Sequence, residues 1–113
     1  MARIRSVHPG LWTDEAKSTR PGVTHIYVIQ EGDEGPCKVG ISRNAFWRRQ
    51  DLQSGNHRPL HLRALFAADD RGHALVVEAS ALTHFSGSYL SGEWLDLSPD
   101  VIASFIEEEF TRG

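Results

Sequence analysis

The stretch that decides the fold runs from Thr24 to Asn56 and reads THIYVIQEGDEGPCKVGISRNAFWRRQDLQSGN. Its first seven residues, 24–30, alternate β-branched and aromatic side chains in the manner of a strand. Residues 31–36 contribute two glycines, an aspartate and a proline, which supply the backbone conformations of a tight turn. Residues 37–42 form the return strand. The stretch therefore begins with a predicted β-hairpin.

A helix follows the hairpin directly. Ser42 or Asn44 can cap its first turn, and Gly55 with Asn56 provides the stop signal at its end. Between cap and stop, apolar and polar residues recur at three- and four-residue spacing, which predicts a moderately amphipathic helix. Strand, turn, strand and helix thus form one local unit.

Four residues of this unit carry chemistry. Tyr27 lies on the first predicted strand, Lys38 and Gly40 on the second, and Arg48 on the helix. A short local fold can bring an aromatic hydroxyl and two cations together, a combination that suits a phosphate group. Each residue type is common alone, so the prediction rests on the ordered set and its spacing.

Further strands and helices are predicted downstream. Residues 60–66 alternate as a third strand, with Leu60, Leu62, Ala64 and Phe66 on one face. A helix from about Gly72 to Phe85 follows an aspartate cap, and its predicted apolar stripe contains Leu75, Val76, Ala79, Leu82 and Phe85. A short strand is predicted over residues 93–97, and a last helix from Pro99 with Ser98 as its cap.

The length and composition describe one ordinary globular domain. The chain has 113 residues, of which 40% are hydrophobic and 24% charged, with a mean hydropathy of −0.35, values typical of globular proteins. Residues 1–22 hold two Pro-Gly breakers and read as an N-terminal arm anchored by Trp12, which leaves residues 23–113 as a single domain. Cys37 is the single cysteine, which excludes an internal disulfide and a thiolate metal cage.

Charge and hydropathy limit the location and the partners. No apolar run approaches the roughly 18 residues of a membrane span, and the first residues lack a secretory pattern, so we expect a cytoplasmic protein without membrane contact. Residues 1–63 hold ten Lys and Arg against six Asp and Glu, a charge of +4. Residues 64–113 hold two against nine, a charge of −7. The basic half contains the predicted phosphate site.

Two tripeptides resemble the signature of the GIY-YIG nucleases. His25-Ile26-Tyr27 and Lys38-Val39-Gly40 correspond to its two halves, Arg48 falls at the arginine position of the following helix, and Glu78 at the metal-ligand position of the later glutamate helix. The most similar branch is a small phage and bacterial one, whose further motifs are matched by residues 52–56 (LQSGN) and 92–94 (GEW). Residues 3–15 also resemble the start of some phage replication-initiation proteins.

The resemblance implies a fold and an activity. The fold is a small α+β domain with a central antiparallel sheet flanked by about three helices. The activity is endonucleolytic hydrolysis of nucleic-acid phosphodiesters with one Mg²⁺ or Mn²⁺ bound by Glu78. A hard cation accepts one carboxylate plus phosphate oxygens and water, while Arg48 and Lys38 neutralise charge in the transition state. Tyr27 positions or deprotonates the attacking water, helped by the cation of Lys38 because a tyrosine pKa is ordinarily about 10.

Other residues extend the predicted site. His25 shares a strand face with Tyr27 and is a candidate proton carrier, or else a strand-end residue. Arg43, Arg49, Arg58 and Trp47 form the mixture of cations and aromatic rings that grips nucleic acid. We expect DNA in preference to RNA as the bound polymer.

Departures from the signature keep a second interpretation open. His25 replaces the first glycine, Lys38 replaces the second tyrosine, and the late asparagine has no counterpart near residue 90. The alternative is a non-catalytic phage accessory module that holds DNA or a host or phage protein. For Glu78 the alternative is a salt bridge to Arg48 or Arg63, and Glu93 is a candidate second acid.

Overall fold

A computed structural model describes residues 3–90 and 94–111 of the chain. The described part forms four strands and four α-helices, which confirms the predicted α+β class with an antiparallel sheet. The elements, in order, are β1 Ile4–Ser6, α1 Trp12–Ala16, β2 Thr24–Glu31, β3 Cys37–Ser42, α2 Ala45–Ser54, β4 Leu60–Ala68, α3 Arg71–His84 and α4 Pro99–Phe110.

The sheet has helices on both faces. Its strand order is β1-β4-β2-β3, and every neighbouring pair is antiparallel. One face carries a core with Ile26, Val28 and Phe66 under α3 and α4. The other face carries a second core with Tyr27 and Leu65, covered by residues of α1 and α2. β1 and β3 are the two end strands of this order.

The hairpin and the helix caps confirm the local predictions. The β2–β3 turn closes with the Glu31 amide donating to the Pro36 carbonyl at 3.0 Å. Asn44 caps α2 by accepting from the Trp47 amide at 3.0 Å. Ser98 caps α4 by accepting from the Asp100 amide at 3.2 Å.

A β-bulge corrects the predicted alternation of the third strand. Val28 pairs with Ala64 but the next residue, Ile29, pairs with Leu62, so β4 carries one extra residue at Arg63. An inserted residue shifts the following side chains to the opposite face. Leu60 and Leu62 therefore pack on the α1–α2 side, whereas Ala64 and Phe66 pack under α3 and α4. The predicted single face was wrong.

The buried stripe of α3 also differs from the prediction. Ala74, Val77 and Ala81 are buried, whereas Leu75 and Val76 are 44% and 57% exposed. Hydrophobicity alone favoured the larger side chains, but alanines at the sheet-facing positions allow the helix to lie close to the strands. On α4, Val101 is likewise exposed, whereas Ile102 and Ile106 are buried.

Residues 3–22 contribute more secondary structure than the sequence predicts. β1 pairs with β4, with Ile4 opposite Ala68, although the sequence indicated only an irregular arm here. Trp12 packs against the α1–α2 core, and its indole Nε1 donates to the Val7 carbonyl at 2.8 Å. These contacts hold the described part of the arm on the sheet.

The predicted strand over residues 93–97 is reduced to bridges. Leu95 pairs with Cys37 and with Tyr89 in isolated antiparallel bridges, while Glu93, the candidate second acid, lies outside the described residues. Within the same described ranges, no helix is long and apolar enough to cross a bilayer.

Candidate active site

A cleft of about 280 Å³ opens at the outer side of β3. It collects side chains from both helical layers of the sheet because it lies where those layers meet. Most of the residues that the sequence placed in a phosphate or nuclease site line this cleft, whereas His25 does not. The complete lining is Tyr27, Lys38, Val39, Gly40, Ile41, Arg48, Glu78, Leu82 and Tyr89.

Tyr27 reaches the cleft across Gly40. The two residues are direct partners in the β2–β3 ladder. A Cβ atom added at Gly40 would overlap the hydroxyl end of the Tyr27 ring. The absence of a side chain at residue 40 therefore leaves space for the ring, and Tyr27 is only 2% exposed. Packing against Gly40 thus restricts the positions that the Tyr27 ring can take beside the cleft.

Lys38 and Arg48 bring positive charge to the cleft. Lys38 shares a sheet face with Gly40, two residues along β3, and is 8% exposed. Arg48 is on the first turns of α2 and is exposed, with its Nη1 atom 3.4 Å from Asp51 Oδ2. Asn44 fixes the start of this helix, since its Nδ2 also donates to the Lys17 carbonyl at 2.8 Å. The α2 cap thus determines the position of Arg48.

Glu78 enters the cleft from α3 on the other face of the sheet. It follows Val77 of the buried stripe and is itself half-buried. Glu78 is the carboxylate of the described cleft lining, and no group of three or more metal-ligand residues occurs in the ranges 3–90 and 94–111. One carboxylate beside two cations fits a hard cation that takes its remaining ligands from phosphate and water. Arg63, considered as a partner for Glu78, donates to Gln30 Oε1 at 3.0 Å.

His25 is placed away from the cleft. It is fully buried, and its Nε2 atom is 3.5 Å from Glu15 Oε1, a contact too long for a good hydrogen bond. Glu15 also accepts from Arg5 at 2.9 Å and from Arg20 at 2.6 Å. Burial lowers the pKa of His25, although Glu15 opposes that shift. The proton-carrying role stays a prediction, while the placement favours a packing role beside α1.

The four predicted nucleic-acid contacts divide into two groups. Trp47 is 64% exposed beside Arg48 on α2, and Arg43 is exposed before the same helix. Arg49 instead donates to the Leu60 carbonyl at 3.3 Å, and Arg58 lies 3.7 Å from Glu31 at the end of the hairpin. Trp47 and Arg43 are therefore the better placed pair for contact with a polymer.

Tyr89 is a cleft residue that the sequence reasoning missed. It follows a 3₁₀ turn, Ser86–Ser88, and is 40% exposed. Tyr89 pairs with Leu95 in an isolated bridge. No local sequence pattern reveals this pairing. The sequence did offer one signal for Tyr89, the rarity of its residue type, because the chain has only two tyrosines and the other is Tyr27.

Cys37 is excluded as a nucleophile by its surroundings. It is fully buried at the start of β3, in the core that α3 and α4 cover. Burial raises the pKa of its thiol to about 11, against a smaller lowering by Arg63. The thiol is therefore protonated near neutral pH, as expected for a small core residue.

Comparison with protein families gives one match. A family model described as the T5orf172 domain matches residues 24–109. The matched span begins with β2, includes α2 and α3, and contains every residue of the cleft lining. Searches of curated proteins and of solved structures gave no significant match.

Proposed function

Because the chain belongs to the T5orf172 domain family, we propose that it is a metal-dependent endonuclease of the GIY-YIG type that hydrolyses nucleic-acid phosphodiesters. The family is phage-associated and related to nucleases or DNA-binding domains. The observation that carries the proposal is the convergence of Tyr27, Lys38, Arg48 and Glu78 on one cleft. These residues come from four secondary-structure elements and span 52 positions of the chain, from residue 27 to residue 78.

The two cations bind the scissile phosphate. Lys38 lies within the cleft and Arg48 at its exposed side, so a phosphate between them meets positive charge from two directions. Both charges stabilise the additional negative charge that develops as the attacking oxygen approaches phosphorus. Burial of Lys38 strengthens its effect, because the charge acts in a medium of lower dielectric than water.

Tyr27 orients the attacking water. Its ring is immobilised against Gly40, so the hydroxyl has one position relative to the phosphate. A fixed donor and acceptor reduces the entropy that must be lost when the water reaches its attacking position. Lys38 supports transfer of a proton from the water, since a neighbouring cation favours the anionic form of the tyrosine.

Glu78 is the metal ligand of the proposal. Its carboxylate would hold a Mg²⁺ or Mn²⁺ ion, which would supply charge stabilisation at the leaving oxygen. Glu78 also orders water in the cleft through its carboxylate oxygens, which accept hydrogen bonds. Outside the cleft, Trp47 and Arg43 hold the flanking polymer, for which DNA is favoured over RNA. We place the activity in the cytoplasm, which is the host cytoplasm if the protein is phage-encoded.

The proposal is tested by cleavage assays on single- and double-stranded DNA and RNA with Mg²⁺ or Mn²⁺. Glu78→Gln keeps the size of the side chain but removes its charge, and we expect it to reduce cleavage to background. The matched control is Glu108→Gln, since Glu108 is exposed on α4 outside the cleft. If the wild-type protein cuts none of the four substrates, the proposal is overturned.

A non-catalytic binding module is the second candidate. It is favoured by Lys38 in place of the second tyrosine and by the exposed ring of Trp47, because both features serve phosphate and base binding without chemistry. This function predicts salt-sensitive nucleic-acid binding that persists in Glu78→Gln, with no metal-dependent cutting by either protein. A stable complex with a host or phage protein, and no nucleic-acid binding at low salt, identifies instead a protein-binding module.

A further inference from the structure

Tyr89 forms a wall of the cleft that the roles proposed above leave unused. Its ring stands in the same lining as Lys38, Arg48 and Leu82. Although Tyr89 lies outside the helices and the four strands, backbone hydrogen bonds restrain the segment around it.

Backbone hydrogen bonds tie the segment around Tyr89 to the outer side of β3. Leu95 exchanges two bonds with Cys37, at 2.9 and 2.7 Å. The Leu90 amide donates to the Trp94 carbonyl at 2.7 Å, and the Asp96 amide donates to the Ser88 carbonyl at 2.7 Å. The segment therefore continues the sheet beyond β3 by two short bridges. These hydrogen bonds restrain the backbone around Tyr89 relative to β3, the strand that carries Lys38.

The position of the ring suits a nucleotide base. The cations of the cleft can hold one phosphate, and a base attached to that phosphate must then occupy the adjacent space. On the side of Tyr89 and Leu82 that space is bounded by an aromatic ring and an aliphatic side chain. Such surfaces favour the face of a base rather than its hydrogen-bonding edge.

A base offers its face only when it is not stacked between neighbours. In a duplex each base is covered on both faces, whereas unpaired nucleotides can be splayed out and stacked on aromatic side chains. We propose that Tyr89 stacks on an unpaired base next to the phosphate bound by Lys38 and Arg48, and that the substrate is single-stranded or locally unpaired nucleic acid. This inference rests on the proposed function of the cleft and specifies its substrate class.

The test compares binding of a fluorescent single-stranded DNA oligonucleotide with binding of its duplex, without divalent metal so that neither is cut. We expect Tyr89→Ala to weaken single-strand binding by about 5- to 150-fold, the range for loss of one stacked base. Duplex binding should change by less than about twofold, and Tyr89→Phe, which keeps the ring, should retain single-strand affinity within about twofold.

Leu90→Ala provides the matched control. Leu90 is the next residue, is 44% exposed, and lies outside the cleft lining, so its truncation should leave both affinities unchanged. Thermal unfolding verifies that each variant is folded. If Tyr89→Ala does not fold, Tyr89→Leu replaces it, because leucine keeps apolar volume but has no ring.

The possible outcomes test the stacking role of Tyr89 separately from the proposed nuclease function. Equal loss of single-strand and duplex binding in Tyr89→Ala, or no loss of either, overturns the stacking role while leaving the nuclease proposal intact. A wild-type protein that binds neither oligonucleotide overturns both. Selective loss of single-strand binding, with Tyr89→Phe behaving as wild type, supports the proposed substrate class.

Discussion

The hydroxyl end of the Tyr27 ring occupies the space that a Cβ atom would need at Gly40, its direct partner on the neighbouring strand. Glycine is therefore required at position 40 because the Tyr27 ring approaches closely, and not because the backbone angle is unusual. This pair connects the stability of the hairpin with the geometry of the cleft.

The first prediction concerns this pair. Gly40→Ala should lower the free energy of unfolding by roughly 1–3 kcal/mol, the usual cost of overpacking a core, and should displace the Tyr27 hydroxyl. Urea denaturation measures the stability change. In a Tyr27→Ala background the added methyl group has space, so the cost of Gly40→Ala should be smaller by roughly 1 kcal/mol or more. Additive effects of the two substitutions would contradict the packing explanation.

The second prediction concerns the Arg48 charge. Arg48→Ala should weaken nucleic-acid binding irrespective of sequence and reduce the slope of log affinity against log salt concentration by about one. It should also slow cleavage by about 10²- to 10³-fold, the usual effect of removing one donor to developing charge. Fluorescence anisotropy over a salt series measures the slope. The control is Arg71→Ala, an exposed arginine at the start of α3 outside the cleft.

Arg48→Lys adds a second comparison at the same position. A lysine keeps the charge but loses the planar fork that contacts two phosphate oxygens. We expect it to restore the salt slope but only part of the cleavage rate. Complete restoration of both would show that charge alone is required at residue 48.

The third prediction concerns Glu78 and binding. A carboxylate near a bound phosphate repels it when no cation is present, so Glu78→Gln should bind nucleic acid at least as tightly as wild type in the absence of metal. With Mg²⁺ present, wild-type binding should tighten and Glu78→Gln binding should not. Anisotropy titrations with and without the metal distinguish these cases. A metal response that is unchanged in Glu78→Gln would assign the ion to other ligands.

The fourth prediction concerns pH. Because burial lowers the pKa of His25, the unfolded chain binds a proton more readily than the folded one below about pH 6.5, the ordinary histidine value. The stability contribution of the neutral ring is present above that pH and is lost as the pH falls. The free energy of unfolding should therefore decrease from pH 7 toward pH 5, and less steeply in His25→Gln, whose amide does not ionise.

The titration of Glu15 can be separated from that of His25, because the two groups lose their stability contributions in different pH ranges. Although burial raises the pKa of Glu15, Arg5 and Arg20 lower it below its ordinary value overall, so its contribution is lost only at more acidic pH, below about 4.5. Urea denaturation between pH 7.5 and 5 thus isolates His25. Identical slopes for wild type and His25→Gln in this range would show that the buried histidine does not control acid stability.

Local patterns predicted the hairpin, the α2 and α4 caps and the ordered set Tyr27, Lys38, Gly40 and Arg48 that lines the cleft. These features depend on residues close in sequence, or on an ordered set whose spacing is distinctive. Glu78 was assigned to the same site only through the family resemblance. The extra residue at Arg63 could not be predicted, because Leu60 and Leu62 fit a regular alternation equally well. The predicted apolar stripe of α3 was right for Leu82 and Phe85, which pack against the core. It was wrong for Leu75 and Val76, since close packing on a sheet selects Ala74 and Ala81 over larger neighbours.

Tyr89 and β1 were missed because tertiary pairing defines them. β1 has three residues and gains its partners only from β4, far along the chain. Tyr89 is linked to β3 through Leu95, which pairs with both Tyr89 and Cys37. Neither event leaves a periodic signal in the surrounding sequence.

Because residues of β2, β3, α2 and α3 all line the cleft, the site is assembled only when these four elements are folded together. Fraying of α2, detachment of α3 or opening of the hairpin would each separate at least one member of the set while the other elements remain formed. A partly folded chain would therefore have helix and sheet content but no assembled site. Substrate binding during denaturation should disappear no later than the loss of helical circular dichroism, and a ligand that fills the cleft should stabilise all four elements together.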